Sequence, residues 1–562
     1  MAESARRELN ARALAILAAA GDVPIARLVH HAQQAHDGFA VSTFAPRAGD
    51  QASRVGAHRE ATLYYRAALD STETMAPEAR VSLLERYAHE AYLVGDLSAA
   101  IDAERAALVL WKARGDTIKE GDCFRRLSRF SYMAGDRLSA DSYAERAIAV
   151  LESGPQGPEL AMAYSNRAQL DMLAAKLEPV IRNGRKAIAI AETLGRIDIV
   201  SHALNNIGCA EIWVDADKAC ENVTRSLDIA LEMNLQDHAA RGYTNLGWLN
   251  INLLRFAEAE RVLLAGIQYC IERDLDPWRD YMKGLLAELH VRQGRWDEAA
   301  QHAQSVVENS ETPPLSRHPA VAALAKLRLR RGEDGFNPLF EALRRFLERG
   351  MEPQRLAPYA TIKAERAWLG EDDSQEALDL LALAENGIPS RTGHGELACW
   401  RQVLSPQTDP GELLGLPTPY RLQLEGDWVA AAAKWAELGA PFERALALFG
   451  GDESGQREAL AVFDSLGASA VARHARKITR QSGVNRVSRG PRHATRANVA
   501  GLTAREMEVL RLIGRGLSDK TIARELAISP KTVGHHVGAL LSKLDAGTRG
   551  QAAAMAREYG LI

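Results

Sequence analysis

Leu83-Leu84-Glu85-Arg86-Tyr87-Ala88-His89-Glu90-Ala91-Tyr92-Leu93, then Gly95, then Ala99-Ala100-Ile101-Asp102-Ala103-Glu104-Arg105-Ala106-Ala107-Leu108 is the stretch on which the fold turns. Two helix-forming segments flank a glycine, and an alanine sits five residues after it. The same turn-and-alanine pair recurs as Gly56…Ala61, Gly135…Ala140, Val214…Ala219, Leu254…Ala259 and Gly294…Ala299, in steps of 39 or 40 residues once the degenerate Ala175…Val180 is included. Looser copies follow near Gly332 and Gly370, and Gly426…Ala431 closes the series. Glycine ends a helix because it takes the left-handed C-cap conformation without steric cost. Alanine lets the next helix approach closely. Tyr65 with Leu69, and Tyr243, Leu246 and Trp248, stand at helical spacing to fill the seam. One such pair cannot bury its apolar face alone, so the copies must stack into a solenoid. The carboxylates Glu85, Glu90 and Glu104 read as solvated groups on helix faces.

The chain has 562 residues, 46% apolar and 25% charged, an ordinary globular composition. No apolar run reaches the ~18–20 residues a membrane helix needs, so no membrane partner is expected. Five cysteines, never spaced C-x-x-C, argue against a disulfide framework and a cysteine zinc site, and fit a reducing cytoplasm. At the amino terminus, Arg6, Arg7 and the run Ala13–Ala20 imitate a signal peptide. Glu3, Glu8 and Arg12 oppose that, and Leu9, Ala13, Ile16 and Leu17 share a helical face.

The net charge of -4 averages two opposite parts. Ser465 to Ile562 holds 17 Lys and Arg against 6 Asp and Glu, while Met1 to Asp464 holds 52 against 67. An acidic body with a basic end points to a polyanion partner for that end. Gly455 to Lys477 reads as a last helix pair. The stretch Gln481 to Arg496 has no helical period, is broken by Gly, Pro and Ser, and reads as a flexible basic linker.

The last sixty residues carry the sharpest local signals. Thr503 with Glu506 is a capping box that starts a helix, which Gly514 and Gly516 stop. Ser518 caps a second helix with Ile522, Ala523 and Leu526 inward. Ser529-Pro530, an N-cap followed by proline, opens a third, with Val533, Val537, Leu540, Leu541 and Leu544 on one face. A fourth begins near Thr548. Two short helices, a tight turn and a longer third helix form the helix-turn-helix plan, whose third helix enters the major groove. Its open face carries Lys531, Thr532, His535, Gly538 and Ser542, and its amino-terminal amides with Ser529 suit a phosphate. His535-His536 is not a metal pair, because adjacent helical residues point apart.

The long repeat resembles tetratricopeptide-type repeats with an enlarged period. At the other end, Leu502-Thr503-x-Arg505-Glu506, Gly516-Leu517-Ser518-x-Lys520-x-Ile522-Ala523, Ile528-Ser529-x-x-Thr532-Val533-x-x-His536 and Lys543-Leu544-x-x-x-x-Arg549 resemble the LuxR-type DNA-binding domain of bacterial regulators. The resemblance implies a four-helix domain that binds DNA as a dimer and controls transcription. By motif position, Lys531 to Lys543 would read DNA, while Thr503, Lys520, Lys543 and Arg549 would sit near phosphates or hold the fold. Many members carry lysines where this chain has Gly534 and Gly538, which shifts base reading onto Lys531, Thr532, His535 and Ser542. The layout also resembles the large ATP-binding LuxR regulators, but this sequence contains no Gly-Lys pair and so no P-loop.

The expectation is an all-α protein with amino-terminal helices over 1–48 and a tetratricopeptide-like superhelical arm over 49–480. A basic linker over 481–500 and a helix-turn-helix domain over 501–562 follow. Its function is transcriptional regulation. The arm binds a protein partner or effector and controls dimerisation on double-stranded DNA, with RNA polymerase a further partner. The alternative is a repeat scaffold with a vestigial DNA-binding end. No catalytic residues, metal or cofactor are expected: H-E-x-x-H, a nucleophile elbow and a phosphate loop are all missing, and Gly514-x-Gly516 lacks a third glycine.

Overall fold

The computed structural model describes residues 3–71, 75–212, 214–348, 350, 352–389, 393–481, 502–544, 546–559 and 561–562. Two compact units are formed, Met1–Gly451 and Asp452–Ile562. Every regular element among the described residues is a helix.

The first unit is the repeat array. Its pairs are long: Pro77–Val94 and Leu97–Arg114 have 18 residues each, and Gln236–Asn252 is followed by Phe256–Ile271. Lengths of that order, rather than extended loops, account for the forty-residue period. The alanine after each turn is where helices meet: Ala61, Ala100, Ala140, Ala219, Ala259 and Ala299 are 0% exposed, as is Val180 in the degenerate copy. The turn itself is left-handed at Gly95, Gly135 and Gly294, and the same conformation is forced on Ala175 and Leu254. A second series of left-handed turns joins one pair to the next, at Gly115, Gly195, Asn234 and Asp274. Asp96, Asp116, Asp136 and Asp215 each cap the following helix by accepting its third backbone N–H.

Two sequence expectations are corrected here. Glu90 and Glu104 are not solvated: they are 2% and 0% exposed. Glu90 accepts from Ser53 and pairs with His58, and Glu104 pairs with Arg126, which also reaches the half-buried Glu85. Burial of a carboxylate demands such partners. In the first helix, Glu3–Ala20, the inward residue is Leu14, while Leu9 and Ile16 are exposed, so the face read from spacing is rotated.

The array winds back on itself. His58 Nε2 lies 2.7 Å from Gln236 Oε1, and Arg59 pairs with Asp274 and Asp276. The Tyr92 hydroxyl reaches Asp237 at 3.3 Å. Arg137 Nη1 donates to Glu352 at 2.5 Å, and Arg355 donates to the Tyr132 hydroxyl at 3.1 Å. These partners are 145 to 223 residues apart in sequence. The amino-terminal helices of successive pairs line much of a partly open interior cavity.

In the second unit, Glu453–Ser465 and Ser469–Gln481 form the helix pair expected near Gly455 to Lys477, with Ala459, Leu460 and Phe463 buried. Apart from Gln481, the stretch read as a linker lies outside the described residues.

Candidate nucleic-acid interface

Four short helices make up the carboxyl-terminal module: Ala504–Gly514, Asp519–Glu525, Pro530–Lys543 and Arg549–Glu558. Their starts are written into the sequence. Thr503 and Glu506 form the reciprocal capping box, while Ser518, Ser529 and Thr548 each accept a backbone N–H of their helix. Gly516, in the left-handed region, turns the chain after the first helix, and Ala527 does so between the second and third. Leu502, Leu510, Leu540, Leu544, Ala552 and Ala556 form one half of the core. Val509, Leu512, Ile513, Ile522, Ala523 and Val533 form the other. Val537 and Leu541 pack at its margin, and so does Leu526.

That packing fixes which side of Pro530–Lys543 meets solvent. Lys531, Gly534, His535, Gly538 and Ser542 are exposed and recur at helical spacing along one face. Thr532 is half-buried, and its hydroxyl shares a 2.7 Å hydrogen bond with Ser529 Oγ. His536 is half-buried, facing partly inward. The helix contains no Asp or Glu, so nothing on its open face repels a phosphate.

The other predicted positions divide. Lys520 is exposed at the start of the second helix. Ser529 is engaged in its cap and with Thr532, and of the first helical amides only that of Lys531 is left over, since Pro530 has no N–H and Thr532 and Val533 donate to Ser529. Thr503 is a cap. Lys543 Nζ donates to Glu506 Oε2 at 2.7 Å, tying the end of the third helix to the first. Burial pushes Glu506 up, but the bonds from Lys543 and Thr503 outweigh it and hold the carboxyl below its ordinary range. Arg549 donates to Asp519 at 2.9 Å and so joins the fourth helix to the second. The geometry thus collects Lys531, His535 and Ser542 on one face and gives Thr503, Lys543 and Arg549 structural contacts.

Arg505 is a positioning residue to which the sequence assigned no role. Its guanidinium donates to the Leu526 carbonyl at 2.6 Å, clasping the turn that aims the third helix. The signal was present in the Leu502-Thr503-x-Arg505-Glu506 motif. Arg557 similarly donates to the Gly514 carbonyl at 3.0 Å.

Among the described residues, one group has metal-ligand geometry: Glu85, Glu104 and Cys123 in the arm. The Arg126 guanidinium already spans it, donating to Glu85 at 2.5 Å and Glu104 at 2.9 Å. Burial, with Glu104 alongside, pushes the Cys123 thiol well up. A protonated thiol and an internal cation make this an ion-pair network rather than a metal centre.

Residues 500–556 match the family described as bacterial regulatory proteins, luxR family. The carboxyl-terminal module is therefore a LuxR-type helix-turn-helix DNA-binding domain. Its relatives include the transcriptional regulatory protein LiaR of Bacillus subtilis, 48% identical over 61 residues, which are 11% of this chain and 29% of LiaR. The response regulator protein VraR of Staphylococcus aureus is 48% identical over 61 residues, again 11% of this chain and 29% of VraR. The chain thus spans under a third of the length of these curated relatives. Among solved structures, similar chains include a Pyrococcus horikoshii signal transduction ATPase with a tetratricopeptide repeat sensor, at TM-score 0.33 and 13% identity, covering 61% of this chain and 53% of that one. A Rap protein complexed with competence and sporulation factor matches at TM-score 0.33 and 11% identity, covering 78% and 99%. No helix among the described residues is long and apolar enough to cross a membrane.

Proposed function

We propose that this chain is a transcriptional regulator of the cytoplasm, without enzymatic activity, whose LuxR-type domain docks Pro530–Lys543 in the major groove of double-stranded DNA. The observation that carries the reading is the open face of that helix, which presents Lys531, His535 and Ser542 and no carboxylate. Lys531, Thr532, His535 and Ser542 read base edges; Ser529 and Lys520 meet phosphates. One module of this size binds weakly, so two copies engage two half-sites. The arm binds a partner or effector and sets that dimerisation, and a bound dimer contacts RNA polymerase.

The test is a footprint or gel shift of the full chain on the region upstream of its own operon, with a salt titration. Binding is expected to weaken steeply with salt. Lys531→Ala with His535→Ala relaxes sequence preference by about 1–3 kcal/mol per lost base contact. Lys520→Ala weakens all sequences alike and flattens the salt slope by about one. Salt-insensitive or absent binding sinks the proposal. Gly534 and Gly538, which leave the open face short of side chains, favour a second reading as a scaffold. Affinity capture that retains protein partners but enriches no DNA would support it.

A further inference from the structure

The cavity lined by the array has a volume of about 240 Å³, just below the ~300–1,000 Å³ of drug-sized pockets. Its walls are aromatic and apolar in large part, with Tyr132, Trp248, Trp278 and Tyr281 among them. Five arginines line it: Arg129, Arg241, Arg292, Arg330 and Arg355. The last three are matched. Arg292 and Lys326 pair with Glu396, Arg330 with Glu365, and Arg355 with Glu352.

Arg129 and Arg241 are different. Arg241 is 2% exposed and donates only to neutral acceptors, Asn205 Oδ1 at 3.0 Å, Asn206 Oδ1 at 2.5 Å and the His202 carbonyl at 3.3 Å. Arg129 donates to the Tyr92 hydroxyl at 3.0 Å and stacks over Tyr92 and Trp278. Neither pairs with a carboxylate among the described residues. Asp237, held by Trp278 Nε1 at 2.6 Å and by Tyr92, is the acidic group that acts on both; with Tyr92 it outweighs burial and holds Arg129 above its ordinary range, so the uncompensated charge is that of Arg241. The neighbouring His202 and His238 are pushed below their ordinary range, first by burial and then by Arg241 and Arg129, with Asp237 opposing the shift at His238. Burial and the adjacent Arg129 lower Arg241 to about 10, the direction of an overloaded cationic site. Arg129 Nη2, Arg241 Nε and Gln169 Oε1 are buried on this wall with no hydrogen-bond partner. A buried charge without a counter-ion is costly, and a donor left unpaired beside it adds to the cost.

We propose that this cavity is an anion-binding effector site, in which Arg129 and Arg241 take the carboxylate or phosphate of a compact molecule whose ring packs on Trp248 and Trp278. The ligand supplies the negative charge that Arg241 lacks, and guanidiniums match oxyanions in a fork geometry. The inference rests on the reading of the arm as effector-binding and gives that effector a chemistry.

Calorimetric titration of the full chain with phenylacetate, phenyl phosphate and neutral phenylacetamide tests it. Saturable binding of phenylacetate marks a carboxylate site, and of phenyl phosphate a phosphate site. Phenylacetamide is expected to bind at least about tenfold more weakly, the loss of one charge-assisted hydrogen bond. Arg129→Gln loses a similar factor while its unliganded Tm stays level or rises, which a purely structural arginine would not permit. Arg129→Lys keeps most of the affinity. Should Arg129→Gln fail to fold, the near-isosteric Gln169→Glu supplies an internal counter-charge and abolishes anion binding. Equal binding of the neutral amide, or no saturable heat from either anion at millimolar concentration, overturns the site. A gel shift on the same samples separates the two readings. DNA binding without anion binding removes only the cavity proposal, and anion binding without DNA binding removes only the regulator.

Discussion

Gly534 and Gly538 lie on the solvent side of Pro530–Lys543, and a Cβ at either would meet no atom within 4 Å. No packing demands these glycines, and each costs a helix interior up to about 1 kcal/mol relative to alanine. Gly534→Ala and Gly538→Ala are therefore expected to stabilise the module by roughly 0.5–1 kcal/mol each, read as a rise in its melting temperature. A lysine at either position tests what the helix lacks. It should strengthen DNA binding and steepen the salt dependence, because each added phosphate contact releases a counter-ion. If alanine destabilises, the glycines serve a packing role that the open space around them contradicts. At this scale the sequence was legible for caps and inward residues. It was less so for Thr503, Lys543 and Arg549, whose motif positions did not distinguish phosphate contact from the tertiary hydrogen bonds each makes.

Among the helices of the arm, the turn after Pro158–Leu173 departs from the glycine rule. Ala175 holds φ 55°, where an L side chain costs about 1–2 kcal/mol, while its counterparts Gly95 and Gly135 hold φ 94° and 83° freely. Ala175→Gly should recover part of that, roughly 0.5–1 kcal/mol after the glycine's own entropy cost in the unfolded chain. Chemical denaturation of the full chain measures it, and a loss of stability would show that the Ala175 methyl packs more than it strains. The repeat was readable because helix length and close packing impose a fixed period on Gly and Ala. The second turn series was not, since Asn234 and Asp274 reach the left-handed region without any glycine to mark them. Glu90 and Glu104 were misread for a related reason: a carboxylate at helical spacing looks alike whether it faces water or a buried histidine or arginine. Only the neighbouring helix decides that.

Closure of the arm depends on contacts that no periodicity encodes, because their partners are far apart in sequence and polar. Glu352 is the hub of one closure: Arg137, Arg355 and the Tyr132 hydroxyl all converge on it. Glu352→Gln leaves the buried Arg355 facing a neutral group and Arg137 with Asp141 alone. The expected cost is about 3–5 kcal/mol, with a matching fall in the melting temperature of the full chain. The other closure should respond to pH. His58 is buried, with Nδ1 2.6 Å from Glu90 Oε2 and Nε2 2.7 Å from Gln236 Oε1, so a proton on each nitrogen lets the ring donate to both. Burial lowers its pKa, but the bond and charge of Glu90, the bond to Gln236 and the charge of Asp274 together raise it above the ordinary value. A raised histidine contributes stability that is complete below its unfolded pKa and is lost as pH climbs through the folded one. Stability of the full chain should thus decline from about pH 6.5 upward. His58→Gln should remove that decline while lowering stability at the acidic end of the window. Denaturation midpoints across that range, for both proteins, decide the matter. A wild-type profile that stays level, or a variant that keeps the slope, would mean that His58 is neutral and that Arg59 with Asp274 and Asp276 holds this side of the closure by itself.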